Sequence, residues 1–303
     1  MSKLLGILAA LVLTAACAPG PAEPAGRGAP RLVASFYPLA FAATRIAGDR
    51  AEVVDLTPAG VEPHDLELSP SQVRALAEAD LVVYVGGGFQ PGVEQALEQV
   101  DTARLDVLEL VETLPAEDEP AEDEHGKDEH AHGAVDPHVW LDPMRLAEIG
   151  EAIATELGAI DPAGRAIYGE RAAALTTELD RLDRAFREGL KGCEQRAIVV
   201  SHQAFGYLTE SYGLKQVGIA GLDPEAEPSP ARVAQVTEFA RANGVTTIFF
   251  ETLVSPRVAK TIANEIGIDT AVLDPLESQP DGGDYLSGMR ANLAALRAAL
   301  GCP

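Results

Sequence analysis

Short apolar runs alternate with helically spaced stretches over most of the chain. Between residues 31 and 110 the runs are "RLVASF" (31–36), "AEVVDL" (51–56), "DLVVYVG" (80–86) and "RLDVLEL" (104–110). Between them, "SPSQVRALAEA" (69–79) and "GVEQALEQV" (92–100) repeat apolar residues every three or four positions. Unbroken apolar runs suit strands covered on both faces, and the longer spacing suits one face of a helix. Ser69 is placed to cap its helix, with Pro70 in the first turn. The second half repeats the pattern. "RAIVVS" (196–201), "KQVGIA" (215–220), "VTTIFFE" (245–251) and "DTAVLD" (269–274) read as strands. "AFGYLTESY" (204–212), "SPARVAQVTEFARANG" (229–244), "SPRVAKTIANEIG" (255–267) and "YLSGMRANLAALRAALG" (285–301) read as helices. This alternation predicts an α/β protein with mostly parallel sheets.

Between the halves, Leu175, Leu179, Leu182, Phe186 and Leu190 form one apolar stripe. The stripe predicts a single long helix over 162–190, about 42 Å from end to end at 1.5 Å per residue. The expected layout is two (β/α) lobes, 31–160 and 193–303, joined by that helix within 161–192.

Two segments stand outside this pattern. Lys3 and the apolar stretch "LLGILAALVLTAA" (4–16) read as a signal peptide spanning 1–16, too short for a permanent membrane span. "LTAAC" resembles a lipobox ending in Cys17, although Leu13 stands four residues before the cysteine and Thr14 occupies the usual leucine position. Lipidation of Cys17 is expected, with plain secretion as the alternative. "APGPAEPAGRGAP" (18–30) reads as a tether. Residues 117–133 hold eight acidic residues, one lysine and His125, His130 and His132. With no apolar residue larger than alanine, that tract is expected to be a mobile loop interrupting the first lobe.

Charge and cysteines narrow the function. With 23 basic and 47 acidic residues the formal charge is −24, which argues against nucleic acid as a partner. In an oxidising compartment Cys193 and Cys302 form an even pair, and a disulfide between them is expected. Two buried free thiols are the alternative.

The other three histidines are far apart in sequence. His64 lies in "VEPHDLELSP", His138 in "DPHVWLDP", and His202 directly after the predicted strand 196–201. His64 and His202 fall at or just past the C-terminal ends of strands, where open α/β sheets bind ligands. Three neutral imidazoles and one carboxylate would complete a tetrahedral zinc shell, although imidazole also suits copper, iron, nickel and manganese. Glu251, Asp274 and Glu277 are the carboxylate candidates. Placement alone leaves open the alternative of three separate core or capping histidines. Trp140 reads as core. "GGG" (86–88) lacks the Lys-Ser/Thr of a phosphate loop and reads as a turn.

"EPHDLELSP", "DPHVWLDP", "SHQAFGYL", "GLDPEAEPSP", "TIFFETLVSP" and "VLDPLE" occur in this order. Together they resemble the substrate-binding lipoproteins of bacterial metal ABC importers: cluster A-I, and within it the zinc-type, ZnuA-like branch. The resemblance covers residues 31–303. It implies two lobes joined by a long backbone helix, with the ion in the interdomain cleft. It also implies His64, His138 and His202 as ligands with Glu277 as the fourth and Asp274 as runner-up; relatives lacking that acid would point to water, Glu62 or Asp65. A histidine at 202 implies zinc over manganese. His125, His130 and His132 become an auxiliary capture loop, with a merely solvated tract as the alternative.

The function so implied is a non-catalytic receptor, exported as a monomer and held at the membrane only by lipid. It would deliver zinc to an ABC permease and its ATPase. A surface adhesin or zinc chaperone is the alternative. A secreted zinc hydrolase is a distant third, because no H-E-x-x-H motif is present.

Overall fold

The computed structural model describes residues 28–116 and 135–303. Cys17 and His125, His130 and His132 lie outside the described residues. Strands β1 (Arg31–Ala34), β2 (Glu52–Asp55), β3 (Leu81–Tyr84) and β4 (Arg104–Asp106) form one parallel sheet in the order β2-β1-β3-β4. Strands β5 (Ala197–Val200), β6 (Lys215–Gly218), β7 (Thr247–Phe250) and β8 (Asp269–Val272) form a second in the order β6-β5-β7-β8. The two orders are equivalent. In each lobe the chain leaves its first strand toward one side and later returns on the other, which opens a crevice beyond the C-terminal strand ends.

Helices α1 (Tyr37–Ala47), α2 (Pro70–Ala77), α3 (Pro91–Leu97) and α4 (Pro143–Ile160) belong to the first lobe, and α6 (Gly206–Tyr212), α7 (Pro230–Ala242), α8 (Arg257–Ile266) and α9 (Tyr285–Ala299) to the second. Ser69 caps α2 in a reciprocal capping box with Gln72, as its sequence position suggests. Helix α5 (Arg165–Gly189) runs from α1 and α4 in the first lobe to α9 in the second. It is 25 residues long, about 37 Å.

The long helix differs from its predicted form in two respects. It starts at 165 because Asp161 accepts hydrogen bonds from Arg50 and the Tyr168 hydroxyl, closing a tight turn. It is also not a lone strut. Helix α4 packs along it, with Gly150 facing Leu175 and Gly158 facing Arg165, so the connector is half of an antiparallel hairpin. Helices α1 and α4 are absent from the sequence-based set. In α1 nine of eleven residues are buried, so no polar face marks its period. The predicted strand 104–110 stops after three residues, because the Asp106 carboxylate accepts the amides of Gly86 and Leu108 and turns the chain into a short 3-10 helix.

One apolar core runs through both lobes, with Phe41 stacked on Tyr285 and Phe186 on Tyr212. Cys193 and Cys302 are disulfide-bonded, tying the C-terminus to the chain entering β5 across 109 residues.

Candidate metal centre

Four polypeptide segments meet where the C-terminal strand ends of both sheets face each other. His64 lies in the segment between β2 and α2, and His138 at the start of a 3-10 turn (Val139–Leu141) leading into α4. His202 follows β5, and Glu277 lies between β8 and α9. Glu277 Oε1 stands 3.5 Å from His64 Nε2, 3.7 Å from His138 Nε2 and 3.9 Å from His202 Nε2. The Nε2 atoms of His138 and His202 are 3.4 Å apart. Zn–N and Zn–O bonds near 2.0–2.1 Å in a tetrahedron require ligand atoms about 3.3–3.4 Å apart. These four of the six edges lie within about 0.6 Å of that figure. Among the described residues, this is the group of His, Cys, Asp and Glu side chains whose ligating atoms converge, all within 4.8 Å.

The site is buried, and several of its ligating atoms lack hydrogen-bond partners. His138, His202 and Glu277 are at most 1% exposed. His64 Nε2 and both carboxylate oxygens of Glu277 are buried without a hydrogen bond. Buried polar groups are normally satisfied, and orphans clustered at one point mark the place of a missing binding partner, here a cation.

Two carboxylates orient the imidazoles from behind. Asp136 Oδ1 accepts from the His138 backbone amide at 2.9 Å and lies 2.7 Å from its Nδ1. Glu251 Oε1 lies 2.9 Å from His202 Nδ1 and accepts from Ser201 Oγ. A carboxylate on Nδ1 leaves the Nε2 lone pair directed at the metal position and strengthens it as a donor. Glu251, named as a possible ligand, therefore acts through His202.

Asp274, the runner-up, faces away from the group. Its Oδ1 accepts from the Leu276 amide and its Oδ2 from the Thr252 hydroxyl. Asn292 holds its backbone from both sides. Asp274 thereby shapes the turn that presents Glu277. Leu276 completes that turn with φ of +58°, the one non-glycine residue with positive φ among those described. It is fully buried, and its strained backbone, costing about 1–3 kcal/mol, turns the next side chain into the cleft. No glycine or asparagine in "VLDPLE" signals it. Glu62 uses Oε1 on the His64 amide and leaves Oε2 buried and unpartnered, while Asp65 is exposed. Neither belongs to the converging group.

Aromatic packing supports the first-lobe ligands. The glycine turn 86–88 presents Phe89, whose ring centre is 4.5 Å from that of His64. Trp140 is buried 5.1 Å from the His138 ring. Its Nε1 donates to Pro275 O across the cleft, and the Tyr285 hydroxyl donates to Trp140 O. Asp136 went unrecognised in the sequence, although an aspartate two residues before a histidine is a known local capping pattern.

Charges in this pocket are displaced from their ordinary states. Burial pushes His64 down to about 4 and His138 well below the usual range. Burial also lowers His202, but Glu251, and after it Glu277 and Glu62, outweigh that effect and raise it to about 9. Burial pushes Glu277 up to about 8, with Glu251 and Asp274 adding to the rise. Only a deprotonated set can ligate, so cation binding here must expel protons.

Residues 32–299 match the family described as zinc-uptake complex component A, periplasmic. The chain belongs to the ZnuA family. It is 38% identical over 305 residues to the zinc-binding lipoprotein AdcA of Streptococcus pneumoniae, covering 98% of this chain and 60% of that protein. The chain thus spans about three fifths of AdcA. It is 36% identical to the high-affinity zinc uptake system protein ZnuA of Bacillus subtilis, covering 99% of this chain and 97% of that one. The Zn(II)-bound ZnuA-like domain of S. pneumoniae AdcA superposes with a TM-score of 0.75 at 36% identity, over 90% of this chain and 99% of that domain.

Proposed function

We propose that this ZnuA-family protein is an exported zinc receptor that carries one Zn²⁺ in its interdomain cleft. His64, His138 and His202 bind through Nε2 and Glu277 through one carboxylate oxygen. The reading rests on the four ligating atoms within 4.8 Å of one another, buried and largely without other partners. Zinc is favoured over manganese because three imidazoles form a borderline-soft set, whereas manganese suits oxygen-rich shells. Four protein donors fill a tetrahedral shell, and a catalytic zinc site keeps one position open for water. That supports carriage rather than hydrolysis.

The chain supplies the chemistry of capture. Glu277 and Glu251 together offset the dication, and Asp136 and Glu251 fix the imidazole tautomers. Two ligands come from each lobe, so release requires the lobes to part or a ligand segment to withdraw. On this reading an ABC permease receives the ion, with its ATPase driving import, and lipid on Cys17 holds the receptor at the outer face of the membrane. Residues 117–133 act as an auxiliary capture loop through His125, His130 and His132.

The test is competitive titration of the purified mature chain with zinc and manganese. The expected result is one tight zinc site that survives deletion of 117–133 and disappears in H138A. Retention of that site in H138A defeats the assignment.

A further inference from the structure

The segments flanking 117–134 are bonded to the second lobe through the Tyr207 hydroxyl. Tyr207, on α6, donates from its hydroxyl to Asp136 O at 2.7 Å and accepts from the Leu114 amide at 3.0 Å. Leu114 O in turn accepts from the Asp136 amide, and Pro115 pairs with Val135 in an isolated antiparallel bridge. Arg145 covers the Tyr207 ring at 4.6 Å and donates to Glu112 O in the same neck. Gly206, next to Tyr207, leaves no room for a side chain because the Asp136 carboxylate lies against it. Asp136 is also the residue that holds His138 through both its backbone amide and Nδ1. A helix of the second lobe therefore grips the residue that orients a ligand of the first.

We infer that Tyr207 is a positioning residue for zinc retention, acting through Asp136 on His138. Two ligands lie on each side of the cleft, so separation of the lobes both removes His202 and Glu277 from the ion and pulls α6 off Asp136. Opening would then loosen the His138 imidazole in the same movement. The clasp makes release a joint event rather than the loss of ligands one at a time. This inference rests on the zinc-receptor reading and names a residue outside the four ligands.

The experiment compares zinc dissociation by stopped-flow chelator competition in wild type, Y207F, D136N and the double variant Y207F/D136N. Y207F keeps the ring under Arg145 and removes only the hydroxyl. It is expected to speed release about tenfold, the worth of a buried hydrogen bond whose partner amide is left unpaired. The double variant should release no faster than D136N alone. Visible bands of the Co²⁺-loaded protein should shift in Y207F, because His138 is reoriented; a purely scaffolding hydroxyl would leave them alone. G206A pushes on the Asp136 carboxylate with the hydroxyl intact and should also speed release, which decides the matter if Y207F fails to fold. Unchanged release and unchanged Co²⁺ bands in the folded variants overturn the inference, as do independent, multiplying effects of Y207F and D136N. Failure of the receptor reading is recognised separately, by wild-type zinc binding that does not depend on His138.

Discussion

Replacing Glu277 with glutamine should make the metal-free protein more stable and the zinc-loaded protein less so. Gln is close in shape, and both oxygens of Glu277 are buried without hydrogen bonds, so little packing or bonding is lost in the apo form. What disappears is the burden of burying an acid. Burial raises Glu277 from an ordinary 4.5 to about 8. Between those values the native state holds a proton that the unfolded state has released, so wild-type stability falls as pH rises across that window. Each pH unit is worth about 1.4 kcal/mol, so the effect is under about 1 kcal/mol at pH 5 and a few kcal/mol at pH 7. With zinc the order reverses. Removing the charged member of a buried pair typically costs about 3–5 kcal/mol, a loss of at least a hundredfold in affinity. The assay is urea denaturation of wild type and E277Q at pH 5 and pH 7, with chelator and with saturating zinc. The expected curves cross: E277Q is ahead without metal, increasingly so at pH 7, and behind with it. Metal-free E277Q less stable than wild type at pH 7, or an equal zinc-induced gain in both proteins, would show that Glu277 is a structural carboxylate and not a ligand.

Zinc affinity should fall about tenfold per pH unit below about 9, where His202, raised chiefly by Glu251 against the opposing effect of burial, must lose its proton, and about a hundredfold per unit below about 8, where Glu277 must lose one too. His64, depressed to about 4 by burial, adds no further step until that pH; calorimetry in buffers of different ionisation heat counts the protons, and a flat affinity from pH 8 to pH 5 rules out the histidine shell. Trp140, the one tryptophan in the chain, lies 5.1 Å from the His138 ring, so zinc should change its emission in wild type and not in H138A. C193S/C302S should lose up to about 4–5 kcal/mol of stability by loop-closure entropy. Its zinc affinity should stay within a few-fold of wild type, because the disulfide lies at the opposite end of β5 from His202; a large loss of affinity would mean that the disulfide shapes the cleft.

The parts of the molecule legible from the sequence are those with a local period or a local cap. Buried strands such as β3 and β7 show as unbroken apolar runs, and the α5 stripe shows as leucines at helical spacing. Helix α1 has no such contrast, since burial on nearly every side leaves no polar face. Three ligands could be proposed because histidines are few and the ordered motifs resemble one family. The fourth was harder for a definite reason. Asp274 and Glu277 lie three positions apart, and which one faces the cleft depends on the positive φ of Leu276. That conformation is enforced from outside the segment, by Asn292 on α9 and by Trp140 holding Pro275 O from the other lobe. A choice made by tertiary partners leaves no mark in the four residues from Asp274 to Glu277.

On the zinc-receptor reading, the same dependence lets the cleft hold an ion and still release it. Without metal, Glu277 is 1% exposed, and burying its acid raises the energy of the closed protein. A dication at the centre of the four donors displaces the protons that Glu277 and His202 hold without it, and the burden of burying the acid is relieved as the ion binds. The burden can persist only because the cleft is held shut by bonds that do not involve the ion: Trp140 to Pro275, Tyr285 to Trp140, the Gly60 amide to Ser278, and Tyr207 to Asp136. These bonds cross between lobes and use none of the four ligating atoms. A partner that breaks them would therefore lower zinc affinity sharply without competing for a single ligand. That is the physical requirement on any membrane acceptor that must take the ion from a site this buried.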